Sequence, residues 1–152
     1  MRHTLAFISA VVCLFLATGC ARQSSKQTEH RMQPVSTVLE LHDAMINPAS
    51  DAIFNAGVEA PANEAAWTTI RKNAGVVAES GNLLMMPGRA RDEGRWMELS
   101  WELVEGGKAA MKAAEARKTD ELLAASDRIV ETCMACHEPY RDGRKMGAPP
   151  AK

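Results

Sequence analysis

The stretch that most limits this chain is Cys133-Met134-Ala135-Cys136-His137. Two thiols three positions apart, followed at once by an imidazole, are the set that covalent haem attachment needs. The thiols add to the two vinyl groups of the porphyrin, and the adjacent ring turns one nitrogen onto the iron. A C-x-x-C also serves as half a zinc site or as a thiol–disulfide pair. A tetrahedral zinc would need two more thiolates or imidazoles, and the remaining candidates are few and badly spaced. A thioredoxin-like pair wants a βαβ setting, and the chain carries no strand signal. The expectation is one covalent haem c, with Cys133 and Cys136 as thioethers and His137 as the proximal iron ligand.

The other end of the chain bears on the same question. Met1-Arg2-His3 is a short basic start, Leu5 to Ala17 is apolar, and Thr18-Gly19-Cys20 offers a small-residue cleavage site. That is the layout of a secretory signal peptide over 1–19, with an apolar run too short to span a bilayer. Leu16-Ala17-Thr18-Gly19-Cys20 further resembles a bacterial lipoprotein signal, in which Cys20 is lipidated; plain cleavage near Gly19 is the alternative. Residues 20–33 show no apolar periodicity and read as a disordered tether, with His30 a solvated linker residue. The cysteines then balance: Cys13 leaves with the signal, Cys20 takes lipid, and Cys133 and Cys136 take haem. Export agrees with haem c, which bacteria attach outside the cytoplasm. The expected location is the periplasmic side of a bacterial membrane, through a lipid anchor.

Between tether and tail, residues 34–141 read as four amphipathic helices. Few aromatic residues (5%) beside 46% hydrophobic content and 9 Met favour helix over sheet. The first helix opens after Pro34, with Thr37 and Glu40 as a capping box. Its apolar positions are Val35, Val38, Leu39, Met45, Ile46, Ala49, Ile53 and Ala56, and Pro48 predicts a kink or a change of helix. The second starts at an Asn63 cap, carries Trp67, Ile70, Ala74, Val77, Ala78, Gly81, Leu84 and Met85, and is closed by Pro87-Gly88. The third runs from about Asp92, a candidate cap, to about Ala116 with Trp96, Leu99, Leu103, Gly107, Ala110 and Ala114 on one face. At Gly106-Gly107 a neighbouring helix or a flat cofactor could approach closely; a tolerated helix defect is the alternative. The fourth starts near Thr119, a candidate cap, with Leu122, Ser126, Ile129, Cys133, His137 and Tyr140 in line. Residues 142–152, rich in Gly and Pro, read as a flexible tail. The fold class is all-α: an antiparallel four-helix bundle with its haem motif near the C-terminus. A net charge of −1 gives no reason to expect nucleic acid as a partner.

A C-x-x-C-H at the end of a fourth helix resembles the cytochrome c-prime family, the class II c-type cytochromes. Tyr140 and Arg141 stand where that family commonly has an aromatic and a basic residue after the proximal His. Pro48-Ala49-Ser50-Asp51-Ala52-Ile53-Phe54 and Glu79-Ser80-Gly81-Asn82-Leu83-Leu84-Met85 are similar to segments of a bacterial subfamily. The resemblance covers about 35–141. It implies that the first helix lies over the distal side of the haem, that redox proteins are the partners, and that two copies pair as a homodimer in many members. The subfamily pattern has Met six residues before the proline of Pro-x-x-Asp; here that position is His42.

His42 also falls on the apolar stripe between Leu39 and Met45, where a half-polar ring needs a partner, and iron is an adequate one. Three distal arrangements stay open: His42 as ligand, Met45 as ligand, or a five-coordinate iron. The first two imply electron transfer by a six-coordinate haem. The third implies binding or sensing of a small gas such as nitric oxide or carbon monoxide. No Ser/His/Asp set, paired carboxylates or nucleotide loop stands beside them, so the expectation is not an enzyme. A structural lipoprotein with an accidental C-x-x-C-H is the remaining reading.

Overall fold

Pro48 leaves its mark one turn before itself. The computed structural model describes residues 31–141. The signal segment, most of the tether with Cys20, and the tail 142–152 lie outside the described residues. Thr37 opens α1 (Val38–Leu41) as expected: its hydroxyl accepts the Glu40 N–H, and the Glu40 carboxylate accepts the Thr37 N–H at 2.8 Å. The chain then widens into a π-helical turn, His42–Ile46, in which the Asn47 N–H reaches back to the His42 carbonyl. It continues as α2 (Asn47–Val58). In an α register residue 48 would donate to the Ala44 carbonyl; proline has no N–H to give, and its ring crowds that carbonyl. The wide turn takes up the conflict, so the rod changes pitch instead of breaking.

That change of pitch moves the apolar face. Ile46, Ala49, Ile53 and Ala56 are buried, as 3.6-residue spacing predicts. Upstream of the turn the same spacing fails. Leu39 is 70% exposed and Leu41, at 3%, takes the inward place; Val35 precedes the helix and is fully exposed. Burying an aliphatic side chain of this size contributes about 1.5–3 kcal/mol, which favours the turn that brings Leu41 in.

The remaining helices show no wide turn, although the last carries Pro139 in its final turn. The Asn63 side chain accepts the Ala66 N–H at 2.9 Å and starts α3 (Glu64–Leu84), whose predicted stripe from Trp67 to Leu84 is buried; Met85 lies just past the end. α4 (Arg95–Ala116) begins three residues later than the sequence suggests. Asp92 does serve its N-terminus, but from outside, accepting the Gly94 and Trp96 N–H groups at 2.9 and 3.1 Å. α4 ends without glycine: Arg117 adopts the left-handed conformation (φ 55°), and Lys118 and Arg117 donate back to Ala113 and Ala114. α5 (Thr119–Tyr140) follows directly, capped by no side chain, so the Thr119 hydroxyl does not play the expected part.

Each helix packs on its chain neighbours, and α5 closes back on α2, so the four form a ring around one core. No strand occurs among the described residues, and no described helix is long and apolar enough to cross a membrane. α3 and α4 approach most closely. A Cβ on Gly107 would sit 2.6 Å from the Ala78 nitrogen, and one on Gly81 would sit 2.6 Å from the Ser100 oxygen. Gly107 therefore admits a neighbouring helix, not a cofactor. Short connections fix which ends meet. The start of the first helix, the end of α3, the start of α4 and the end of α5 share one end of the bundle.

Candidate functional site

At that end lies a cavity of about 580 Å³. One wall is the C-terminal turn of α5, giving Cys136, His137 and Tyr140. The facing wall is the start of the first helix, giving Val38, Leu39, His42, Asp43 and Asn47. Arg91 and Trp96 come from the α3–α4 connection and the first turn of α4, and Arg141 stands just past α5.

The two imidazoles face one another across this space. Their ring centroids are 6.0 Å apart and their planes meet at 42°. His42 is held from behind: its Nδ1 lies 3.0 Å from the Val38 carbonyl. A carbonyl can only accept, so Nδ1 carries the proton and donates, and Nε2 is left with a free lone pair. Burial, then the neighbouring His42 and Arg141, holds His137 below the usual imidazole range. At neutral pH it is a neutral base, the form that binds metals.

The surroundings of the two thiols do not favour the thiolate form. Burial raises Cys133, and burial with Cys133 beside it pushes Cys136 up to about 11. Reactive C-x-x-C thiols are instead acidic, stabilised as thiolates by positive surroundings. Both cysteines are unbridged and pack against the core cluster. Among the described residues no group of three or more His, Cys, Asp or Glu is placed to hold a metal ion.

Met45, expected to share the His42 face, does not line the cavity; it packs against the core. The α-helix turns about 100° per residue and the wider π-turn roughly 80°, so three residues carry Met45 about 120° away from His42. Cys20, the third site expectation, lies outside the described residues.

Sequence spacing did not show that a further set of residues meets to close the cavity. The Tyr140 hydroxyl donates to the Asp92 carboxylate, and the Trp96 and Tyr140 rings meet edge to face at 5.1 Å. The indole N–H of Trp96 donates to the Leu84 carbonyl at 2.9 Å, satisfying an orphan acceptor at the end of α3. Arg91 lies over the Trp96 ring. Trp96 and Tyr140 were legible as stripe residues; that they meet follows from which helix ends share a side. Arg91 carries no spacing signal at all. Beyond the cavity, Arg89 is buried and clasps the chain ahead of α1, donating to the Leu83 and Ser36 carbonyls at 2.7 and 3.0 Å.

No family model, no curated protein and no solved structure matches this chain.

Proposed function

We propose that this end of the bundle holds one haem c, bonded through Cys133 and Cys136 and ligated by His137 and His42, and that the protein carries electrons. One observation supports the reading above the rest. Two metal–nitrogen bonds of about 2 Å each, plus the distance from nitrogen to centroid in each ring, sum to about 6 Å, and the facing rings are 6.0 Å apart. The cavity volume is within the roughly 300–1,000 Å³ of cofactor sites. Its chemistry suits the group: apolar walls from Val38, Leu39 and Trp96, and two guanidinium groups, Arg91 and Arg141, for the two carboxylates that a haem carries.

When bound, haem would supply a one-electron couple whose potential follows its axial ligands and burial. The chain's own residues do the rest. The Val38 carbonyl fixes the tautomer and bearing of His42, as outer-shell acceptors do for metal-bound imidazoles. Trp96 and Tyr140 close the space beside His137 against water. Export and a lipid anchor at Cys20 belong to the same proposal and rest on the sequence alone, as does an acceptor or donor protein as partner.

Absorption spectra of the protein matured with haem test this reading. We expect a low-spin, six-coordinate spectrum in both oxidation states, converted to high-spin by His42→Ala. A wild-type protein that is high-spin and takes up carbon monoxide readily would replace electron transfer with gas binding. A product without covalent haem would remove both.

A further inference from the structure

We propose that the π-helical turn His42–Ile46 decides which residue of the first helix faces His137, and that Pro48 is the reason the turn exists. The proposal rests on the reading that His42 is the distal ligand. α2 is locked to the bundle through Ile46, Ala49, Ile53 and Ala56. Its bearing is therefore fixed, and anything upstream takes its bearing from the turn.

A straight α-helix continued upward from Asn47 would gain roughly 20° at each position of the turn. By residue 42 the difference is about 100°. His42 would swing away from the cavity toward the core, and Asp43 would come within about 30° of the bearing His42 now has. Leu39 would turn inward and Leu41 out to solvent. The observed burial is the reverse, with Leu41 at 3% and Leu39 at 70% exposure, so the rotation has occurred over the whole upstream segment. The π-turn acts as one extra residue. It turns an imidazole instead of a carboxylate toward His137, and it leaves His42 at the start of the wide turn, where Nδ1 still reaches the Val38 carbonyl on the regular turn behind.

Single π-turns occur often at functional sites. This one has an identifiable cause in sequence, since Pro48 removes the N–H and crowds the carbonyl that an α register would pair. It also has an identifiable counterweight, since annealing it to α would expose Leu41. The turn thus holds His42 in place through the core, not through the cofactor.

Two variants of the haem-loaded protein test the idea by their absorption spectra. Deleting the exposed Ala44 together with Pro48→Ala removes both the extra residue and the cause of the turn, and lets the segment run as α-helix with the bearing of His42 kept to within about 30°; we expect the low-spin spectrum to persist. In a plain α-helix the same deletion would rotate His42 by about 100° and the spectrum would become high-spin, which would overturn the proposal. The double substitution His42→Ala with Met45→His moves the imidazole three residues along. On an α-helix it stays on the same face and restores the low-spin spectrum; here we expect no restoration, and restoration would overturn the proposal. The second variant leaves chain length unchanged and decides the matter should the deletion fail to fold. His42→Ala alone separates the two levels: if it leaves the spectrum low-spin, the distal-ligand reading fails before the turn is in question.

Discussion

The middle of the α3–α4 seam and the open end of the bundle are built on opposite terms. Along the seam the helices touch backbone to backbone, and Gly81 and Gly107 have no room for a single extra carbon. At the open end side chains from four segments line a cavity of about 580 Å³. The first arrangement spends small residues on proximity, and dispersion and apolar burial there stabilise the fold. The second keeps the His42 and His137 rings apart, with His42 held by a hydrogen bond from behind. Stability is concentrated in one region so that the other can stay open.

The largest expected effect breaks the seam. Gly107→Val places a branched side chain against the Ala74 and Ala78 backbone, which has no flexible end to yield. Overpacking of side chains alone costs about 1–3 kcal/mol, and a backbone clash exceeds it. We expect a loss of about 3 kcal/mol or more by denaturant unfolding, with the spectrum proposed for the open end unchanged in whatever fraction stays folded. Gly57→Ala is the control, because a Cβ there meets Leu123 at an ordinary 3.4 Å. Equal tolerance of both changes would show that the seam is not tight.

A middle-sized effect is expected where the two regions join. Trp96 is 2% exposed, packs in the core, lines the cavity and donates to the Leu84 carbonyl. Trp96→Phe keeps an aromatic ring but leaves that carbonyl without its partner, at a cost of about 1–3 kcal/mol. The same change opens the cavity toward α3. Binding of a hydrophobic dye to the apoprotein should rise along with the loss of stability; a loss of stability alone would place Trp96 with the seam and not with the site.

How much of this was legible in sequence follows from what each residue depends on. The stripes of α3, α4 and α5 held because none of these helices has a wide turn, so a period of 3.6 carries through. The first helix failed upstream of Ile46 because one proline changed the pitch, and every residue before it rotated. His42 could be singled out and still not aimed, since its bearing depends on a turn type that composition does not specify. Cys136 and His137 come from one motif, while Arg91, Asp92 and Trp96 reach them only through the topology of the bundle. The end of α4 was soft for a related reason: an arginine, not a glycine, sits in the left-handed position.

The smallest effect separates closing the cavity from stabilising the fold. Tyr140→Phe removes one hydroxyl, the one that donates to Asp92. That hydrogen bond is the main cause lowering the Asp92 carboxyl, ahead of the Trp96 and Gly94 N–H groups. A lowered folded value means its contribution is present above the ordinary carboxylate range, about 3.9, and is lost as pH falls through the folded value. Tyr140 has the opposite sign. Burial, then the bond to Asp92, pushes it up to about 12. Its contribution is present below the ordinary phenol value, about 10, and fades as pH rises through the folded one. The difference in stability between wild type and Tyr140→Phe should therefore be flat between about pH 5 and 9 and shrink at both extremes. Asp92 is exposed, so solvent screening keeps the plateau under about 1 kcal/mol. Unfolding midpoints measured across pH would show it. A difference that stayed flat into the acid range would mean that Asp92 is held by the backbone of α4 alone, and that the open end is closed by the Trp96–Tyr140 ring contact without the carboxylate.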